Sequence, residues 1–277
     1  MSFAVLPAWW QKTSARAGAV VVLALLIWLV YRWRVAFLQR RNRELEALVA
    51  QRTRELADLS VTDALTGLKN RRYLQLCMPE FTSLALRRHE VLSRAGVDPT
   101  RANGDLVCLM LDLDHFKDVN DRHGHRIGDE VLVSLCELLG NLRRESDSIV
   151  RWGGEELLYL ARDASRAEAS VIAERIRNAV EQFEFQVSDG TIIRMTCSIG
   201  FAAYPFLPED PRRVSWEEVI DIADICLYAA KRSGRNCWTG VVARDCLAPD
   251  TLMLRVRESM PSLVAAGELE MLASARV

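Results

Sequence analysis

The spacing of apolar residues changes character several times along the chain. From Ala17 to Tyr31, "AGAVVVLALLIWLVY" carries no charge, and Leu6 to Trp10 adds apolar residues upstream. The following "RNRELEALVAQRTRELADLS" has no glycine or proline and is rich in helix formers. Leu38, Leu45, Arg52 and Leu59 share one heptad position, and Asn42, Val49 and Leu56 share the other, which predicts a short parallel coiled coil over 38–60. A solvated helical linker is the alternative reading of so few heptads.

From Val61 short apolar runs alternate with helical stripes. "DLVCLMLDLD" (Asp105 to Asp114) is nearly continuous, as in a strand buried on both faces. Val131, Leu135, Leu138, Leu139 and Leu142 mark a helix that starts after Gly128-Asp129. Ser148-Ile149-Val150 and Leu157-Leu158-Tyr159-Leu160 read as the arms of a β-hairpin with "RWGGEE" at its tip. Ile172, Ile176, Ala179, Val180 and Phe183 mark the next helix, and "TIIRMTCSIGFAAY" offers strands. Val219, Ile220, Ala223, Cys226, Leu227 and Ala230 mark the last helix, with Gly234 as its C-cap, and "NCWTGVV" is a closing strand. This order predicts an α+β domain with a mainly antiparallel sheet flanked by helices.

The uncharged N-terminal run is short for a bilayer span, which needs ~20 residues. Lys12 and Arg16 can snorkel, however, and Trp9, Trp10, Trp28, Tyr31 and Trp33 suit the two interfaces. A signal peptide would show a small-residue cleavage site, and none follows. The expectation is a transmembrane helix over 17–37 after a short segment, 1–16. Arg32, Arg34, Arg40, Arg41 and Arg43 outnumber Lys12 and Arg16, which places everything after Tyr31 in the cytoplasm.

Half of the 277 residues are apolar, enough for a large core, and the formal net charge is −1. That charge gives no argument for a nucleic-acid partner. Seven cysteines without a C-x-x-C pair, most in apolar surroundings, suggest reduced thiols rather than disulfides or a zinc site.

Asp112 and Asp114 alternate at a strand end and so share a face, while Glu155 and Glu156 occupy the hairpin tip. If strand and hairpin are neighbours, three or four carboxylates crowd one sheet edge, which is unfavourable without a cation. An all-oxygen cluster selects a hard ion, Mg²⁺ or Mn²⁺. Lys117, Asn120 and "GHRIGDE" lie just downstream, and Lys231 and Arg235 add cations from elsewhere. Together these suggest phosphoryl or nucleotidyl transfer. Taken singly, each has a plain alternative: D-x-D is common, paired glutamates usually face solvent, and Lys231 and Arg235 suit a helix C-terminus.

"DALTGLKNRR" (Asp63 to Arg72), "DLDHFKDVNDRHGHRIGDEVL" (Asp112 to Leu132), "RWGGEEL" (Arg151 to Leu157), "CSIGFA" (Cys197 to Ala202) and "ADICLYAAKRSGRN" (Ala223 to Asn236) together resemble the GGDEF-type diguanylate cyclases. The resemblance spans roughly Leu59 to Val241. It implies a palm-like nucleotidyl-cyclase fold over 61–243 and condensation of two GTP into cyclic di-GMP with release of two pyrophosphates. Asp112 and Glu155, with the carbonyl of Leu113, are implied metal ligands, and Glu156 a further carboxylate. Which glutamate takes the proton is left open. Lys117 is implied to neutralise transition-state charge, and Lys231 and Arg235 to hold the terminal phosphates. Asn120 and Asp129 are implied to bind guanine, with His125 beside the nucleotide. Gly153 and Gly154 are implied to let the backbone approach phosphate.

One domain binds one GTP, so the implied reaction needs a homodimer. Arg144 and Asp147, in "RESD", and Arg175 match the family's product-inhibition site for cyclic di-GMP. The resemblance and the arginine bias together imply a single-pass protein of the bacterial inner membrane, with a sensor domain or sensing partner supplying the input. Leu157 replaces the usual Phe, Glu155 is a common variant of Asp, and Arg87 to Asp105 is longer than usual. Residues 244–277 carry no readable motif. A catalytically silent domain acting as a GTP or cyclic di-GMP receptor is the alternative function.

Overall fold

The computed structural model describes residues 60–244 and 252–274, together with scattered positions between 25 and 45. The chain divides into two compact units, Met1–Ser60 and Val61–Val277. In the first, the described positions between 25 and 45 are helical.

The second unit is built on a seven-stranded mixed sheet of order β1-β3-β4-β2-β7-β8-β9. Its strands are β1 (Lys69–Asn70), β2 (Asp105–Leu113), β3 (Ser148–Gly153), β4 (Glu156–Ala164), β7 (Cys197–Tyr204), β8 (Trp238–Ala243) and β9 (Leu269–Ala273). A separate hairpin joins β5 (Glu184–Gln186) and β6 (Ile192–Arg194). β1 runs parallel to β3 and β7 parallel to β8, while the remaining pairs are antiparallel. Central β2 is buried over its whole length, as its unbroken apolar run requires.

Alternation along the strands separates two cores. Val107, Leu109, Leu111 and Leu113 of β2 face α3 (His125–Leu142) and α4 (Ala169–Gln182), with α2 (Phe116–His123) at the margin. Leu106, Cys108 and Met110 face α1 (Arg71–Arg94) and α5 (Trp216–Arg232). On that second face Asp112 continues the alternation, at the strand end where the apolar series stops. Gly200 of β7 lies on it too, and a Cβ there would overlap the α5 backbone at Ala223, Cys226 and Leu227. The glycine thus sets how closely α5 lies on the sheet, and so where the helix delivers its C-terminal cations.

Several expectations need correction. Among the described residues no helix is long and apolar enough to cross a membrane. This overturns the transmembrane helix over 17–37, the single pass and the inner-membrane placement. The physical reason is length: the fifteen uncharged residues from Ala17 to Tyr31 are bounded by Arg16 and Arg32, short of the ~20 a span needs. Most of the coiled coil expected over 38–60, including Asn42, Val49, Arg52, Leu56 and Leu59, lies outside the described residues.

The third helix begins at His125 rather than after Asp129, because Gly124, at φ 82°, ends α2 and starts α3. β8 is not the closing strand. Residues beyond it form α6 (Leu252–Ala265) and β9, and β9 pairs antiparallel with β8. Val256, Met260 and Leu263 of α6 join the second core. The long stretch after Arg87 is accounted for by α1 continuing to Arg94, followed by turns. Six described cysteines are free thiols, five of them buried, and Cys246 lies outside the described residues.

Candidate active site

Register brings the carboxylates together. Asp112 sits opposite Glu156 of β4 on one side and Ser198 of β7 on the other. Cross-strand partners point to the same face, so Asp112 and Glu156 are neighbours beyond the apolar core. Lys231, in the last turn of α5, reaches this point with its Nζ 2.7 Å from Asp112 Oδ2. Burial raises the Asp112 carboxyl above its ordinary value, with Glu155 and Asp114 adding to the rise and Lys231 opposing it. Glu156 is raised by burial, by Asp112 and by Asp224, again against Lys231.

Asp224 did not stand out in the sequence. It lies seven residues before Lys231, two helical turns along the same face of α5, a spacing that could have flagged it. Its own carboxyl is raised by burial and by Asp221, while Lys231 lowers it.

Asp114 departs from the expected cluster. It is 4% exposed, and its carboxylate accepts hydrogen bonds from Thr196 Oγ1 at 2.7 Å, Ser198 Oγ at 2.6 Å and the Asn236 N–H at 3.0 Å. With Asp114 committed to protein donors, Asp112 is the member of the D-x-D pair that faces the site.

The hairpin tip is held from outside. Arg151 donates from Nε and Nη2 to the Gly154 carbonyl at 3.0 and 2.9 Å, and from Nη1 to Asp63 Oδ1 at 2.8 Å. Asp63 in turn accepts from the N–H and hydroxyl of Thr66, at 2.9 and 2.7 Å, which closes the "DALTGLKN" turn. One arginine therefore clamps an N-terminal turn to the acidic tip, a link between motifs that lie 88 residues apart. Gly154 takes φ 52°, while at neither Gly153 nor Gly154 would a Cβ meet another atom of the chain. Internal packing does not explain Gly153, and the space above it is open.

Asn120 on α2 packs against Gly128 of α3 so tightly that a Cβ on Gly128 would overlap its side-chain oxygen. This close crossing brings Asn120, which is half-buried, together with the start of α3, where His125 and Asp129 are exposed. Lys117 is exposed on α2, five residues beyond Asp112.

Arg144, Asp147 and Arg175 gather around a buried tyrosine hydroxyl. Asp147 Oδ2 accepts from the Arg144 N–H at 2.9 Å and from Tyr159 OH at 2.6 Å. Burial and Asp147 hold the Tyr159 phenol well above its ordinary range, while Arg175 and Arg144 pull it down. The side chains of both arginines are exposed.

A divalent ion fits this donor set in a particular way. Among the described residues no group of three or more His, Cys, Asp or Glu is placed to hold a metal by itself. The expected cage of three or four carboxylates is not preformed, because Asp114 is turned into its hydroxyl pocket and Lys231 answers Asp112. What remains is Asp112 with Glu155 and Glu156 nearby, a set of hard oxygen donors in which burial first, and neighbouring carboxylates second, raise Asp112 and Glu156 above their ordinary values. Such a set suits Mg²⁺ or Mn²⁺ that arrives with phosphate oxygens filling its other positions.

A mixed sheet with this carboxylate pair, glycine tip and cationic helix end defines a palm-like nucleotidyl-cyclase domain. The family model for "Diguanylate cyclase, GGDEF domain" matches residues 60–237, and the chain belongs to that family. Diguanylate cyclase A of Treponema denticola is 34% identical over 190 residues, covering 69% of this chain and 47% of its own length. The response regulator PleD of Caulobacter vibrioides is 39% identical over 187 residues, covering 67% of this chain and 37% of its own. The chain thus spans less than half the length of these curated relatives. A structure of the coiled coil and GGDEF domain of DgcB from Caulobacter crescentus, in complex with c-di-GMP, aligns at TM-score 0.51 and 27% identity. That alignment covers 72% of this chain and 96% of the other.

Proposed function

We propose that the protein is a diguanylate cyclase that condenses two GTP into cyclic di-GMP. The observation that carries this reading is the convergence of Asp112, Glu156 and Lys231 beside an open glycine tip. A bound Mg²⁺ or Mn²⁺ would supply Lewis-acid polarisation of the phosphate and stabilise the alkoxide. Asp112, the Leu113 carbonyl and Glu155 are the donors proposed to hold it.

In each step the 3′-oxygen of one GTP attacks the α-phosphorus of the other and displaces pyrophosphate. The proton of the 3′-hydroxyl passes to a carboxylate of the Glu155–Glu156 pair; Glu156, raised by burial and by Asp112 and Asp224, is suited to accept it. Lys231 and Arg235 would bind the terminal phosphates and Lys117 would offset charge as the bond to pyrophosphate breaks. Asn120 and Asp129 would bind the guanine edge, with His125 alongside. Gly153 leaves room for phosphate against the backbone.

Each site presents one nucleotide, so two copies must face each other, and a homodimer is the proposed working unit. Arg144 and Arg175, with Asp147 orienting the turn, form the proposed site for inhibition by the product. Two exposed guanidiniums beside one buried carboxylate suit a ligand with phosphates and a guanine edge.

Incubation of the purified protein with GTP and Mg²⁺ should yield cyclic di-GMP, and Asp112→Asn or Glu155→Gln should abolish it. A dimeric preparation that binds GTP without forming product would favour the receptor function. Product inhibition should weaken in Arg144→Ala; an unchanged inhibition constant would remove that assignment.

A further inference from the structure

The turn after α5 is unusual in its backbone. Gly234, Arg235 and Asn236 have φ of 112°, 64° and 47°. Glycine accepts such values freely and asparagine tolerates them, but Arg235 carries a side chain that resists them. A positive φ at Arg235 persists where neighbouring groups enforce it.

Two buried groups hold the turn through Asn236. Asp114, fixed by Thr196 and Ser198, accepts the Asn236 N–H at 3.0 Å. Arg177, also 4% exposed, donates from Nη1 to Asn236 Oδ1 at 2.7 Å. Asn236 Nδ2 then donates to Glu181 Oε1 at 2.8 Å, and Glu181 Oε2 accepts from Arg177 Nη1 at 2.8 Å. Glu174 holds the same guanidinium and accepts from Trp238 Nε1 at 2.7 Å. Asn236 is thus bound at its amide, its side-chain oxygen and its side-chain nitrogen. The residue immediately before it, Arg235, points an exposed side chain from a backbone it would not choose alone.

The D-x-D pair divides its work accordingly. Asp112 meets the side chain of Lys231, and Asp114 meets the backbone of the turn that carries Arg235. Lys231 and the turn that carries Arg235 are thus tied to two aspartates, two residues apart, at one strand end.

We infer that Asp114 and Arg177 are positioning residues, which lock the Gly234–Asn236 turn so that Arg235 is presented to the terminal phosphates of GTP. The inference rests on the assignment of Arg235 to those phosphates. Neither residue touches substrate; both act through Asn236. Their removal should therefore cost affinity for the triphosphate and leave recognition of the base intact.

The test compares binding of GMP with that of a non-hydrolysable GTP analogue, and KM with kcat, in Asp114→Asn, Arg235→Ala and the double variant. Asp114→Asn should weaken binding of the analogue and raise KM on the order of tenfold, with GMP affinity and kcat within about twofold. In the Arg235→Ala background it should add nothing, because both changes remove one interaction. Multiplicative effects in the double variant, or an equal loss of GMP binding, would overturn the assignment. If Asp114→Asn does not fold, Asn236→Gly keeps the left-handed backbone while cutting the Arg177 and Glu181 bonds, and should show the same selective loss. Full preference for the analogue over GMP in Asn236→Gly would also overturn it. The binding comparison needs no turnover, so a protein that makes no cyclic di-GMP would refute the proposed function without deciding the role of the turn.

Discussion

Lys231 Nζ lies 2.7 Å from Asp112 Oδ2, joining the end of helix α5 to the end of the central strand. The ammonium offsets a carboxylate that burial and nearby acids make costly to ionise. Replacing it should do two things at once. Lys231→Met should weaken binding of a GTP analogue roughly 10- to 100-fold, the range expected for loss of a charge-assisted contact. It should also shift the acid limb of the activity profile to higher pH, because Asp112 then ionises later. Calorimetric titration and a pH–rate profile read these separately, and an unmoved acid limb would mean that the ion pair is incidental.

The cluster predicts opposite pH trends for the metal-free protein and for metal binding. Asp112, Glu156 and Asp224 all have pKa values raised above the ordinary 3.8 or 4.5. A carboxyl raised by folding holds its proton more tightly in the folded state, so stability falls as pH climbs from the ordinary value through the raised one. Metal binds the ionised form, so its affinity grows over the same window. The increase in Tm produced by Mg²⁺ should therefore enlarge as pH rises above the ordinary carboxylate values and shrink in Asp112→Asn. A Mg²⁺ effect independent of pH would argue against these ligands.

The Asp63–Arg151 clamp predicts the reverse sign. Burial alone would raise Asp63, but hydrogen bonds from Thr66 and Arg151 outweigh it and hold the carboxyl below its ordinary 3.8. Its contribution is complete above that value and is lost as pH falls through the folded one. Asp63→Asn should lower Tm by roughly 2–10 °C near neutrality, and the gap to the parent should close in acid. Paired with Arg151→Ala the losses should be less than additive. Full additivity would show that the two groups act independently.

Gly200→Ala should destabilise the domain although alanine suits a strand no worse than glycine. Its methyl would meet the α5 backbone, which cannot move aside as a flexible side chain can. Overpacking of this kind costs about 1–3 kcal/mol or more, read by urea denaturation. Displacement of α5 should also lower GTP affinity through Lys231. Wild-type stability in the variant would indicate that the helix lies less closely on β7.

The parts with strong local signals were legible from the residues alone. The apolar run of β2, the arms around "RWGGEE" and the stripes of α3, α4 and α5 each follow from period and burial, and each forms where the pattern places it, save that α3 starts earlier, at His125. The spacing within the acidic and glycine motifs was equally legible, because their chemistry is written in adjacent residues. Membrane insertion was the clear failure: fifteen uncharged residues resembled a span that no described helix provides.

Which carboxylate does what depends on contacts between elements distant in the chain. Asp112 and Asp114 look alike in "DLDH", yet Ser198, Thr196 and Asn236, brought in by β7 and the turn after α5, consume one and leave the other open. The same holds for Asp63 with Arg151, for Asp224 beside Glu156, and for residues beyond Arg244, which supply the edge strand β9 without any motif. Hydrogen bonds and charge interactions depend on distances of a few ångströms, and those distances are set by strand register and helix packing rather than by neighbours in sequence.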